Sequence, residues 1–235
     1  MRGDRTPFSP TELAQLSRCE QQLLYDRRYG AKRSAHWRQR SVEGNQVHAR
    51  MHREVQAPQG KGRPMLTALL IGAVIALLLF LAFARAGGPS TDELLPEELQ
   101  GAKLWQTEKS LSRQKPVHIR GRPDEVWVKD GKRYIVETKS RAGRVFEGDR
   151  MQLAAYGYLL RATDGPPLAP HGYIRFTGGE QSFAKVKLKG DDAVIEAHRR
   201  LQALTKKKAE PGFASAKAMC QGCGHEERCP GSRIS

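Results

Sequence analysis

Apolar residues first recur at helical spacing. In SPTELAQLSRCEQQLLYDRRYG, Leu13, Leu16, Leu23 and Leu24 share one face, Ser9 or Thr11 can cap the start and Gly30 can end it, which predicts one amphipathic helix. SVEGNQVHARMHREV predicts a second helix. From Val117 the period shortens: VHIRG, DEVWVKD and KRYIVETKS read as consecutive strands, the last two joined by a turn at Asp130-Gly131. Asp149 to Ala162 returns to helical spacing, TDGPPLAPHG is a loop, and YIRFTGGEQSFAKVKL reads as a hairpin turning at Gly178-Gly179. A last amphipathic helix, DDAVIEAHRRLQALTKKK, precedes a cysteine-rich end. Helices, strands, helix, hairpin and helix in that order predict an α/β fold with a mixed sheet flanked by helices.

One segment fits neither period. Met65 to Ala84 (MLTALLIGAVIALLLFLAFA) carries no charge and is apolar all round. As a helix it would span roughly 30 Å at ~1.5 Å per residue. Membrane contact is the expectation, and a deeply buried core helix is the alternative. Linkers flank it, QAPQGKGRP before and the acidic AGGPSTDELLPEELQG after. The chain therefore reads as one domain with an insertion: 1–55, an inserted 56–102 containing 65–84, and 103–235.

Charge narrows the partners. There are 40 Lys and Arg against 25 Asp and Glu, a net charge of +15. Such an excess points to a polyanion, either nucleic acid or an anionic membrane face, with an inert basic surface as the bland alternative. The opening MRGDRTPFSP has no secretory character, so the four cysteines are expected to be in a reducing compartment.

The strands carry the candidate chemistry. Glu137 and Lys139 lie two apart on one strand and so point to one face. The Asp130-Gly131 turn can bring Asp124 beside Glu137. Two carboxylates so close repel unless a cation lies between them, and hard Mg²⁺ or Mn²⁺ suits oxygen ligands. A lysine beside such a site can hold or deprotonate an attacking water. A solvated strand face would also carry these residues. Gln152 and Tyr156, at i and i+4, share a helix face. His48 is either a metal ligand or one of seven unremarked histidines.

GRPD, the strand ETK and the QxxxY helix, in this order, resemble the RecB-type nucleases of the PD-(D/E)XK superfamily, which have a restriction-endonuclease-like fold. A helical histidine upstream and a split cysteine set, Cys19 and then CQGCGHEERC, are similar to the iron–sulfur branch. That branch includes the CRISPR-associated adaptation nucleases, the AddB nuclease domain and the helicase-nuclease of eukaryotic replication. The resemblance covers Phe8 to about Val55 and Lys103 to Pro230. It implies a metal-dependent deoxyribonuclease, an exonuclease acting on DNA that is single-stranded or has free ends. His48, Asp124, Glu137 and the Thr138 carbonyl would hold Mg²⁺ or Mn²⁺, Lys139 would orient or activate water, and Gln152 and Tyr156 would position the DNA backbone or the site.

Cysteine thiolates suit zinc or an iron–sulfur cluster. By the same resemblance, Cys19, Cys220, Cys223 and Cys229 would hold a 4Fe-4S cluster that staples the chain ends. Structural zinc at the same thiolates, or with His225 as one ligand, stays open, as do disulfides and unligated thiols. Two functional alternatives also stay open: an inactive nucleic-acid-binding protein on this fold, and a zinc-stapled membrane adaptor.

The insertion departs from the family pattern. A single crossing by 65–84 would separate Cys19 and His48 from their partners. The expectation is therefore a one-sided anchor lying in the membrane interface, with both flanks and the catalytic domain on the cytoplasmic side; a conventional single span is the alternative.

Overall fold

The computed structural model describes residues 7–31, 46, 49–50, 53 and 94–233. The chain forms two compact units, one from 1–48 with 102–235 and the other from 49–101. Residues 65–84 and His48 lie outside the described residues, and so does most of the second predicted helix. Among the described residues no helix is long and apolar enough to cross a membrane. The described end of the second unit contains a short 3₁₀ turn, Glu97–Leu99, with Leu94, Leu95 and Leu99 buried.

The first unit opens with α1 (Pro10–Leu16) and α2 (Glu20–Tyr29). Ser9 starts α1 with a reciprocal cap: the Glu12 N–H donates to Ser9 Oγ at 3.2 Å, and the Ser9 N–H donates to Glu12 Oε2 at 2.8 Å. The apolar spacing predicts one helix through Gly30, but the chain breaks at Ser17 to Cys19. The leucine period runs through this break because it depends only on which face is buried. Locally, the Ser17 hydroxyl donates to the Ala14 carbonyl at 2.7 Å. Cys19 is extended (φ −167°, ψ 112°) and caps α2, its Sγ accepting the Gln22 N–H at 3.4 Å.

Five strands make the main sheet, in the order β1 (Lys103–Thr107), β4 (Glu125–Lys129), β5 (Lys132–Lys139), β6 (His171–Phe176), β7 (Ser182–Lys187). Only β5 and β6 run parallel, and α3 (Glu147–Leu160) lies between them in sequence. The β4–β5 turn has positive φ at both Asp130 (49°) and Gly131 (69°), as a tight hairpin requires. β1 was not anticipated, because KLWQT lacks a clean alternation.

The strand over VHIRG does not continue the meander. As β3 (Ile119–Gly121) it pairs with β2 (Leu111–Arg113) in a separate two-stranded sheet. Its other edge is taken by Phe8, whose N–H donates to the His118 carbonyl and whose carbonyl accepts the Arg120 N–H. Gly121 permits the approach, since a Cβ there would meet Pro10 Cγ at 2.5 Å.

One face of the main sheet packs on α3: Val126, Ile135, Ile174 and Phe176 join Leu153, Ala154 and Leu160 in the core. α3 begins two residues earlier than the sequence suggested. Asp149 lies inside the first turn, and its carboxylate accepts the Phe146 N–H at 2.8 Å. α4 (Asp191–Thr205) packs beside α3, and Asp191 receives Arg113 at 2.7 Å and Arg161 at 2.6 Å. A short helix α5 (Lys217–Gln221) and a 3₁₀ turn at Glu226–Arg228 shape the cysteine-rich end.

Candidate active site

Strand register builds the site. Glu125 pairs with Val136 in the antiparallel β4–β5 ladder, so Asp124, one residue earlier, lies across from Glu137. The Thr138 N–H donates to Asp124 Oδ2 at 2.8 Å and fixes that carboxyl against β5. Lys139 is two residues past Glu137 on the same face, and its Nζ donates to Glu137 Oε1 at 2.9 Å.

α3 closes the cluster from above. Gln152 Oε1 accepts from Lys139 Nζ at 2.8 Å, while Gln152 Nε2 donates to Glu137 Oε1 at 2.7 Å and to Tyr156 Oη at 3.0 Å. Glu137, Thr138, Gln152 and Tyr156 are all buried. The five side chains read from the sequence as Asp124, Glu137, Lys139, Gln152 and Tyr156 thus meet in one network.

Charges in this network perturb one another. The Asp124 carboxyl is held well above the usual carboxylate range, first by burial and then by the negative Glu137 beside it; the Thr138 N–H and Lys139 only partly offset this. Burial would lower the Lys139 ammonium, but Glu137 outweighs it, with Asp124 and Asp149 adding to the effect, and the net shift is upward. Lys139 is therefore a firmly held ammonium here, suited to orienting and donating rather than accepting a proton. Tyr156 is pushed up by burial and by Glu137, so its phenol stays neutral.

The arrangement fits a divalent cation. Glu137 Oε2 is buried with no hydrogen-bond partner among the described residues. An orphaned, buried carboxylate oxygen opposite a second carboxyl is a costly arrangement unless a cation serves both. Among the described residues no three His, Cys, Asp or Glu converge as a finished metal-ligand group. His48, the third ligand expected from the sequence, lies outside the described residues.

Behind the site lies a network the sequence did not reveal. On the opposite sheet face, Arg175 grips Glu125 with two parallel bonds, Nη1 to Oε1 at 2.6 Å and Nη2 to Oε2 at 2.9 Å. Trp127 Nε1 donates to Glu125 Oε2 at 2.8 Å, and Arg175 Nη1 donates to Thr138 Oγ1 at 3.1 Å. Arg175 is fully buried. The residue whose N–H holds Asp124 is therefore itself held from behind. A charged residue in each of two otherwise apolar strands, EVWV and YIRF, was the available signal.

A second constellation joins the chain ends. Cys19, Cys220, Cys223 and Cys229 all line one cleft, together with Tyr25 and Met219. All four are free thiols. Burial raises the Cys223 and Cys229 thiols, and the neighbouring cysteines raise them further. His225, expected as an alternative ligand, is buried and joined to Asp26 by a 2.9 Å contact from Nε2 to Oδ1. Its Nδ1 has no partner among the described residues.

The model of the PD-(D/E)XK nuclease superfamily matches residues 7–230. The chain belongs to that superfamily. It is a nuclease domain, and metal-dependent hydrolysis is the chemistry such domains perform. No curated protein matches the chain. Among solved structures, the nuclease is similar to the crystal structure of SSO0001, with 16% identity over 98% of this chain and 89% of that one and a TM-score of 0.49. It is also similar to a protein assigned as an exonuclease from Eubacterium rectale, with 14% identity over 88% of this chain and 84% of that one and a TM-score of 0.48.

Proposed function

We propose that this nuclease hydrolyses phosphodiester bonds of single-stranded DNA, as an exonuclease using Mg²⁺ or Mn²⁺. The observation that carries the reading is the buried, unpartnered Oε2 of Glu137 set opposite Asp124. Asp124, Glu137 and the Thr138 carbonyl would hold the metal, with His48 as a further ligand. The metal would stabilise charge developing on the phosphate and favour ionisation of water. Lys139, fixed by Glu137 and Gln152, orients the attacking water and donates to the phosphate. Gln152 holds both of its neighbours in register, and Tyr156 supports Gln152 as a neutral phenol. An inactive binding protein on this fold would not need so complete a network. The direct test is hydrolysis of a 5′- or 3′-labelled oligodeoxynucleotide by purified full-length chain. Cleavage should need Mg²⁺ or Mn²⁺ and stop with EDTA, and a chain inert with both metals would refute the reading.

The cysteine cleft supports a 4Fe-4S cluster held by Cys19, Cys220, Cys223 and Cys229. All four thiols line the same cleft, so that the N-terminal Cys19 shares one site with the three C-terminal cysteines. Anaerobically purified protein should be brown with about four iron and four sulfide per chain. Cys19→Ser should bleach it and lower the melting temperature, because Cys19 is the only one of the four thiols from the N-terminal end. Colourless protein with one tightly held zinc would favour a zinc staple instead.

Residues 65–84 would hold the nuclease at the membrane from one side, with the catalytic unit in the cytoplasm. Supporting this, 1–48 and 102–235, which lie on either side of this segment in sequence, belong to one compact unit.

A further inference from the structure

The loop that leaves Lys139 is basic, aromatic and firmly held. It runs Ser140 to Val145 and ends at Phe146, which starts α3. The Thr177 N–H donates to the Lys139 carbonyl at 3.0 Å, and the Gly178 N–H donates to the Arg141 carbonyl at 3.3 Å. Gly178 is so close that a Cβ there would meet the Arg141 backbone at 2.5 Å. The loop is thus clamped on the β6–β7 turn.

Phe146 is among the few large apolar side chains exposed on the described surface, 47% accessible. Two guanidinium groups lie against its ring, Arg141 at 4.9 Å and Arg144 at 5.4 Å from the centroid. Arg144 is exposed. Arg141 is paired with Asp149, yet its Nε is buried with no partner among the described residues. Arg141 also lies 5.5 Å from the Phe176 ring, and Phe176 is the strand neighbour of Lys139. Asp149 accepts the Phe146 N–H and stands near enough for its charge to act on Lys139. The exposed ring and its two arginines therefore lie at the mouth of the catalytic cluster, on its side of the sheet.

From this geometry we infer that Phe146 is a stacking platform for one base of a single-stranded DNA substrate beside the scissile phosphate, with Arg141 and Arg144 on the flanking phosphates. The inference rests on the single-strand nuclease reading above and adds the residues that select the strand. A base face and an arginine plane compete for the same aromatic surface, and guanidinium groups released from the ring can turn to phosphate oxygens. Base stacking on an aromatic residue tolerates any sequence but needs an unpaired base, which favours single strands over duplex.

The test uses full-length chain and a thymidine oligonucleotide carrying 2-aminopurine at successive positions. Without divalent metal, wild type should quench the probe at one or two adjacent positions. Phe146→Ala should abolish that quenching, and in Mn²⁺ it should raise KM for the oligonucleotide about tenfold, with a smaller change in kcat. Phe146→Trp should restore both, which a merely structural role for the phenylalanine would not predict. Arg144→Ala should raise KM without loss of quenching. Trp105→Ala, which removes an equally exposed aromatic elsewhere, should change neither. If Phe146→Ala matches wild type in both quenching and KM, the platform is refuted and the nuclease reading stands. If wild type itself neither binds nor cleaves the single strand, both fall together.

Discussion

Replacing Lys139 by Ala will lower the turnover of single-stranded DNA by about 10²–10⁴-fold while leaving oligonucleotide binding intact. The ammonium is the one donor that reaches Glu137 Oε1 and Gln152 Oε1 together. Removing it would take away the group proposed to orient water and to meet charge on the phosphate. It also leaves two buried acceptors short of a donor. Lys139→Arg should not recover the rate, because a planar guanidinium cannot occupy the point between Glu137 and Gln152. Asp124→Ala and Glu137→Ala should fall to the same floor, and pairing any of them should add little, since residues acting as one unit do not contribute independently. Single-turnover cleavage, with anisotropy for binding, checks the expectation. Wild-type turnover in any one of the three would refute the assigned roles.

Arg175→Met should be the most destabilising single change in the sheet, at about 3–5 kcal/mol, because it leaves Glu125 charged and buried without its partner. The double variant Glu125→Met with Arg175→Met should recover most of that loss. What remains is the cost of stranding Trp127 Nε1, whose acceptor is Glu125 Oε2, at about 1–3 kcal/mol. Urea unfolding of the single and double variants separates these terms. Equal stability of the single and double variants would show that the pair is not coupled. The double variant also tests whether the rear network positions the site: Thr138 would keep its backbone bond to Asp124 but lose its grip from behind.

The candidate cluster was legible because its members follow local periods. Glu137 and Lys139 are two apart on a strand, Gln152 and Tyr156 are four apart on a helix, and the Asp130-Gly131 turn sets the register that delivers Asp124. The buried Arg175 and Glu125 follow no such rule. They are fifty residues apart and meet only because β4 and β6 flank β5, a fact of strand order. The break at Cys19 escaped for a different reason. Leucine spacing reports which residues are buried, and each short helix sends a leucine, Leu13 and Leu23, into the same core, so the pattern cannot show that the backbone turned between them. The departure of VHIRG from the sheet was likewise hidden, since a strand's own sequence does not name its neighbour. Nothing in the local pattern marks Phe146, whose exposure and arginine neighbours come from the fold.

The first unit is assembled from both sides of the insertion, and this sets an order of events during synthesis. α1 and α2 emerge first, yet the α3 and α4 surfaces that α1 packs against are encoded more than a hundred residues later. At about 5–20 residues per second, the first two helices wait several seconds or longer for their partners. Residues 65–84 leave the ribosome inside that interval. Residues 65–84 are thus synthesised before Cys19 can meet Cys220, Cys223 and Cys229, and anything that met them on the ribosome would meet a chain whose first unit is still incomplete.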